Sequence, residues 1–161
     1  MSSCVIPGSF DPVTIGHVSL IRQAAGLFDR VTVTVMVNIH KQSAISVEER
    51  CRFLERSLED IPNVRVMQWD GLLVDFMRKN GEKCIVRGCR SGSEFDSESA
   101  SAAINRLLYP EISYVLIPAE DSLSCVSSSA VREIIAFGGD PKPFLPPDSA
   151  EEIVRALSKE K

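Results

Sequence analysis

Short apolar, β-branched runs alternate along the whole chain with longer stretches in which apolar residues recur every three or four positions. That alternation is the pattern of βαβ units around a parallel sheet, so the sequence predicts an α/β fold. The strand candidates are 4–6, 31–37, 64–67, 84–86 and 114–117, each short and mostly apolar, as strands covered on both faces must be. Between them, Val18, Ile21, Ala25 and Phe28 form one helical stripe, and Val47, Cys51, Leu54 and Leu58 form another. The second helix opens with Ser46-Val47-Glu48-Glu49, in which Ser46 and Glu49 are spaced to satisfy each other's backbone N–H groups as a capping box. Residues 72–79 and 99–108 also carry helical spacing, the latter ending ahead of Pro110. A last helical pair is predicted over 129–137, before Gly138-Gly139, and over 149–157. The stretch 141–147 between them reads as a rigid, proline-rich connection, and no repeat or linker interrupts the chain.

At 161 residues the expectation is a single domain spanning 1–161. The net charge of −4 is wrong for a general nucleic-acid binder, which needs a basic surface to neutralise phosphates. No apolar stretch approaches the roughly 18 to 20 residues that span a bilayer. The N-terminal residues lack the basic segment and apolar run of a signal peptide, so a cytoplasmic location is expected. Five cysteines without C-x-x-C spacing argue against a metal or disulfide framework, and Cys4, Cys51 and Cys84 read as small core hydrophobes.

In a parallel sheet the loops leaving the C-terminal strand ends surround the ligand crevice. Function is therefore expected at 7–17, 38–41, 87–90 and 118–129. The first of these, Pro7 to His17, is a glycine- and proline-rich turn running into a helix start, where free N–H groups and the helix dipole suit an anion. Neither G-x-G-x-x-G nor G-x-x-x-x-G-K-[ST] follows the first strand, which excludes a dinucleotide Rossmann site and a P-loop. Arg87 and Arg90 flank a glycine directly after a buried strand, and an arginine fork suits a phosphate. Taken singly these residues have plainer readings. Lys41 is a surface lysine, the arginines pair with Glu94, Asp96 or Glu98, Glu98 is a solvated helix carboxylate, Leu73 is core, and Ser127-Ser128-Ser129 caps a helix.

Together they match one pattern. The segment P-G-S-F-D-P-x-T-x-G-H, with its T-x-G-H ending at His17, resembles the signature of the nucleotidyltransferase superfamily, and specifically of the bacterial phosphopantetheine adenylyltransferases. The likeness continues in order through Lys41, the S-x-E-E-R helix start 46–50, Arg87-Gly88-Cys89-Arg90, Asn105-Arg106, the V-S-S-S-x-V-R-E stretch 126–133 and Phe144-Leu145-Pro146. The resemblance implies a Rossmann-like five-stranded parallel sheet with additional C-terminal helices. It implies transfer of the adenylyl group of ATP to 4′-phosphopantetheine, giving 3′-dephospho-CoA and pyrophosphate, with Mg²⁺ accompanying ATP. It assigns catalysis to His17, Lys41 and Arg90. Binding of ATP falls to Ser9, Phe10, His17, Gly88, Cys89, Arg90, Glu98 and the loop Leu123, Ser124, Cys125, Val126, Ser127, Ser128 and Ser129. Phosphopantetheine falls to Ser9, Lys41, Leu73 and Arg87. A homohexamer and feedback inhibition by coenzyme A are implied in the same way, and no protein-held metal is.

The chain departs from the family pattern at Cys89 (usually leucine), Leu123 (commonly aromatic), Ser97 (usually tyrosine), Gly71 (often acidic) and Gln42 (frequently lysine). Two rival readings keep the same motifs. One is an adenylyl- or cytidylyltransferase for another phosphorylated acceptor, such as nicotinamide mononucleotide. The other is a nucleotide-binding sensor without turnover, against which the retention of His17 argues.

Overall fold

The computed structural model describes residues 1–37 and 42–158. Its strands are β1 (Ser3–Gly8), β2 (Arg30–Val37), β3 (Val64–Asp70), β4 (Cys84–Cys89) and β5 (Ser113–Pro118). They form one parallel sheet in the order β3-β2-β1-β4-β5. The chain builds outward from β1 through β2 to β3, then crosses back to place β4 on the other side of β1. The strand order therefore reverses between β1 and β4, and a crevice opens there at the C-terminal strand ends.

Among the described residues six α-helices cover the sheet: α1 (Ile15–Leu27), α2 (Val47–Ser57), α3 (Leu73–Asn80), α4 (Gly92–Leu108), α5 (Ser128–Ala136) and α6 (Ala150–Ser158). In β1 the three residues Cys4, Val5 and Ile6 are all buried, as the near-continuous apolar run requires. Their alternate directions separate two cores. Cys4 and Ile6 join Val31, Val33, Val35, Ile21, Phe53, Leu54, Val131 and Ile153 on one face. Val5 and Ile85 meet Val74, Phe76 and Met77 of α3 on the other. Each such side chain, buried fully, contributes roughly 1.5–3 kcal/mol of transfer free energy.

The structure lengthens several predicted elements. Strand β4 runs through Arg87, Gly88 and Cys89, because β5 pairs with it along that whole length, Arg87 opposite Leu116 and Cys89 opposite Pro118. Helix α4 starts well before the predicted Ser99, because Ser91 is its N-cap and accepts the Glu94 N–H at 3.3 Å. At α2 the Ser46 hydroxyl accepts the Glu49 N–H as expected, but the Glu49 carboxylate returns to the Ser46 hydroxyl rather than to its backbone N–H. Gly138, at φ +78°, follows the end of α5 in the left-handed conformation that closes a helix.

All five cysteines are unpaired. Cys4 is buried, with Cys51 and Cys84 packed against the same core. Burial, reinforced by the neighbouring Cys84 and Glu82, pushes the Cys4 thiol up to about 12. Among the described residues no helix is long and apolar enough to cross a membrane.

Candidate active site

The site is built outward from the turn between β1 and α1. Phe10 sits at φ +49°, a region costly for a residue with a Cβ. Its ring is buried and lies over Gly8: a Cβ on Gly8 would meet two ring carbons at 2.9 Å. Asp11, also buried, accepts the N–H groups of Ala44 and Ile45 at 2.9 Å each, which ties this turn to the segment leading into α2.

Helix α1 begins at the T-x-G-H motif, and its cap explains the motif's spacing. The Thr14 hydroxyl accepts the His17 N–H at 3.4 Å, while Nδ1 of His17 accepts the Thr14 N–H at 3.0 Å. This is a capping box with histidine in the position usually held by Glu or Gln. A backbone N–H can only donate, so Nδ1 carries no proton and the ring is held as the neutral Nε2–H tautomer. Burial, then the nearby charges of Arg87 and Arg90, lower the His17 pKa to about 4. Geometry and electrostatics thus agree on a neutral imidazole with one N–H to donate. The Phe10 ring packs edge-on against it at 5.0 Å between centroids.

Arg87 and Arg90 come from the end of β4. The Nε and Nη2 atoms of Arg87 donate to one oxygen of Glu98 at 3.0 and 2.7 Å, and its Nη1 donates to the Pro7 carbonyl of β1. Arg90 pairs with Glu94, whose carboxylate also accepts the Arg90 backbone N–H at 2.8 Å, while its Nη1 donates to the Val126 carbonyl at 3.0 Å. The Arg90 hydrogen bond holds the Glu94 carboxyl below its usual range. Two guanidinium groups therefore face the crevice with one fork each engaged by a carboxylate from α4. The plain ion-pair reading of these arginines and their placement beside the crevice hold together.

The third wall is the segment before α5. Ser127 is the N-cap and accepts the Ala130 N–H at 3.1 Å. Ser128 donates to the Pro12 carbonyl at 2.7 Å, bridging this segment to the β1–α1 turn.

These three walls enclose a cleft of about 400 Å³. Of the residues singled out from the sequence, Ser9, Phe10, His17, Arg87, Gly88, Arg90, Glu98, Leu123, Val126, Ser127, Ser128 and Ser129 line it. Ser97, one of the departures from the family pattern, lines it too. Cys89, Ser124 and Cys125 do not: the Cys89 thiol donates to the Ser91 carbonyl at 3.2 Å, Ser124 donates to the Asp121 carbonyl, and Cys125 is exposed. A second cleft of about 340 Å³ shares Ser9, Arg87 and Glu98 with the first and contains Leu73, with Arg50, Asn105 and Tyr114 as further walls. Lys41 lies outside the described residues.

The model of the cytidylyltransferase-like family matches residues 5–134. A phosphopantetheine adenylyltransferase of Rubrobacter xylanophilus is 47% identical over 98% of this chain and 95% of its own length. Those of Dictyoglomus thermophilum and Clostridium kluyveri are 44% and 40% identical, over 95% and 99% of this chain and 93% and 97% of theirs. The chain belongs to the phosphopantetheine adenylyltransferase family. Among solved structures, a protein assigned as a nicotinate-nucleotide adenylyltransferase from Vibrio parahaemolyticus superposes with a TM-score of 0.70 at 18% identity, covering 100% of this chain and 98% of that one. A bifunctional NMN adenylyltransferase/ADP ribose pyrophosphatase from Francisella tularensis gives 0.69 at 18% identity, over 99% of this chain and 53% of that one. At such identity the two structures establish the shared nucleotidyltransferase fold.

Sequence reasoning passed over several residues that shape the site. Thr14 was visible only as a motif letter, although its three-residue spacing to His17 is that of an N-cap pair. Asp11 and Arg50 are charged residues that turn out to be buried, and nothing in their local sequence distinguishes them from solvated ones.

Proposed function

We propose that the chain transfers the adenylyl group of ATP to 4′-phosphopantetheine, releasing pyrophosphate and 3′-dephospho-CoA, a step of coenzyme A synthesis. The observation that carries this reading is the near full-length identity to phosphopantetheine adenylyltransferases, joined to a crevice in which the motif residues converge. The larger cleft suits the nucleotide, and the smaller one, with Leu73 and Arg87, suits the acceptor. Their shared wall at Ser9 and Arg87 is where the two phosphates meet.

The chemistry is attack by an acceptor phosphate oxygen on the α-phosphorus of ATP, with the α–β bridging oxygen leaving as pyrophosphate. No protein nucleophile is required, so catalysis consists of alignment and of stabilising charge as it builds on the α-phosphate. The neutral Nε2–H of His17 suits the second task, because it can donate to a non-bridging oxygen without needing to lose its proton. Ser9 and the Phe10 N–H bind phosphate at the β1–α1 turn, and Arg90 and Ser127 to Ser129 hold the nucleotide side. Lys41 supplies positive charge to the substrate phosphates. Mg²⁺ enters as part of the nucleotide substrate.

The protein acts in the cytoplasm as one domain over 1–161 and assembles as a homohexamer. Ile104, Leu107 and Leu108 of α4, which are 61%, 84% and 47% exposed, offer an apolar surface for that assembly. The mechanism is tested by the stereochemistry of transfer. With an ATP analogue chiral at a thio-substituted α-phosphorus, one in-line displacement inverts the configuration in the dephospho-CoA product, whereas retention would require a covalent intermediate and contradict the account.

A further inference from the structure

The S-x-E-E-R helix start ends in Arg50, a residue for which the adenylyl-transfer mechanism above has no use. The residue is 3% exposed, in the first turns of α2. Among the described residues no carboxylate pairs with this buried cation, and its Nε finds no hydrogen-bond partner. Burying a guanidinium in that state is costly, so the residue must serve something other than its own neighbourhood. Among the described residues its side-chain bond points to what that is: Nη1 donates to the Ser9 carbonyl at 2.8 Å, across 41 residues of sequence.

We propose that Arg50 is a positioning residue for the phosphate-binding turn, holding the Ser9–Phe10 peptide so that the Phe10 N–H faces away from α2 and toward the reacting phosphates. In a planar trans peptide the C=O and N–H point in opposite directions. Fixing the Ser9 carbonyl against Arg50 therefore fixes the Phe10 N–H on the other side of the turn. The same peptide precedes the positive φ of Phe10, a conformation that needs outside support to persist. That support comes from both sides: Arg50 holds the Ser9 carbonyl, and the carboxylate of Asp11 holds the Ala44 and Ile45 N–H groups. Helix α2, anchored in the core by Phe53 and Leu54, is the rigid body on which the turn is mounted.

This inference rests on the proposed use of the Ser9–Phe10 peptide as a phosphate donor, and the test separates the two. Protein labelled with ¹⁵N-phenylalanine gives seven amide signals, among which Phe10 is assigned by loss in Phe10→Leu. On addition of MgATP the Phe10 amide of the unaltered protein shifts. Arg50→Met loses most of that shift and lowers kcat on the order of 10-fold, with the KM for phosphopantetheine changed less than threefold and the melting temperature of the folded protein as control. Arg50→Lys, whose ammonium can still donate to the carbonyl, recovers most of both effects. Should Arg50→Met fail to fold, Arg50→Gln takes its place with the same expectation. An unchanged Phe10 shift and kcat in Arg50→Met would overturn the role of Arg50 alone. A KM effect confined to phosphopantetheine would overturn it as well, by making Arg50 a direct acceptor contact. A Phe10 amide indifferent to MgATP in the unaltered protein would instead remove the phosphate-donor reading on which the inference stands.

Discussion

His17 shows how one residue takes its chemical state from contacts that its neighbours in sequence cannot supply. The Thr14 N–H fixes the tautomer, and Arg87 of β4 and Arg90 just after it help hold the ring neutral. His17→Ala removes the N–H donor and should lower kcat on the order of 10²–10³, with MgATP affinity much less affected. Single-turnover kinetics alongside nucleotide titration would check this, and a loss under threefold would remove His17 from the chemistry. The pH dependence follows from the lowered pKa. Between an unfolded value of 6.5 and a folded value of about 4, the unfolded chain takes up a proton that the native ring refuses. The stabilising contribution is thus complete above pH 6.5 and declines as pH falls toward 4. Denaturation series at pH 7, 6, 5 and 4 should show a shallower decline for His17→Gln, since glutamine can still accept the Thr14 N–H but does not titrate. The motif made His17 visible in the sequence. Its protonation state was not, because Arg87 and Arg90 reach it only through the fold.

At the scale of elements, the β1–α1 turn depends on a close approach that only glycine permits. Gly8→Ala would drive a methyl group into the buried Phe10 ring at 2.9 Å, where neither group can move freely. The expected cost is about 1–3 kcal/mol of stability, with weakened MgATP binding as the turn shifts. Chemical denaturation paired with nucleotide titration reads both. The elements themselves were largely legible, because apolar runs and three-four spacings directly reflect burial. What escaped was their extent. The arginine and glycine at the end of β4 read as loop, although β5 continues to pair with them. The start of α4 was hidden in a polar run, where only the Ser91 cap marks it.

The whole molecule divides its labour between the two ends of one sheet. The crevice lined by the motif residues lies at the C-terminal strand ends, and the opposite end carries a wholly buried carboxylate, Glu82. It accepts a hydrogen bond from Ser3 at 2.5 Å and one from Arg30 at 3.0 Å. Nothing local in Gly81-Glu82-Lys83 predicts this, since the partners lie 79 and 52 residues away. The α/β class and the placement of function at one end of the sheet were legible, because both follow from the order of elements. The acceptor was legible only through the collinear motifs, since the fold serves several nucleotidyl transfers. The acceptor is tested by pyrophosphate release from MgATP with phosphopantetheine, nicotinamide mononucleotide or no acceptor in parallel. Release with phosphopantetheine alone is expected, with dephospho-CoA formed in equal amount. Release with nicotinamide mononucleotide instead, or with no acceptor at all, would rule out phosphopantetheine as the acceptor of this crevice.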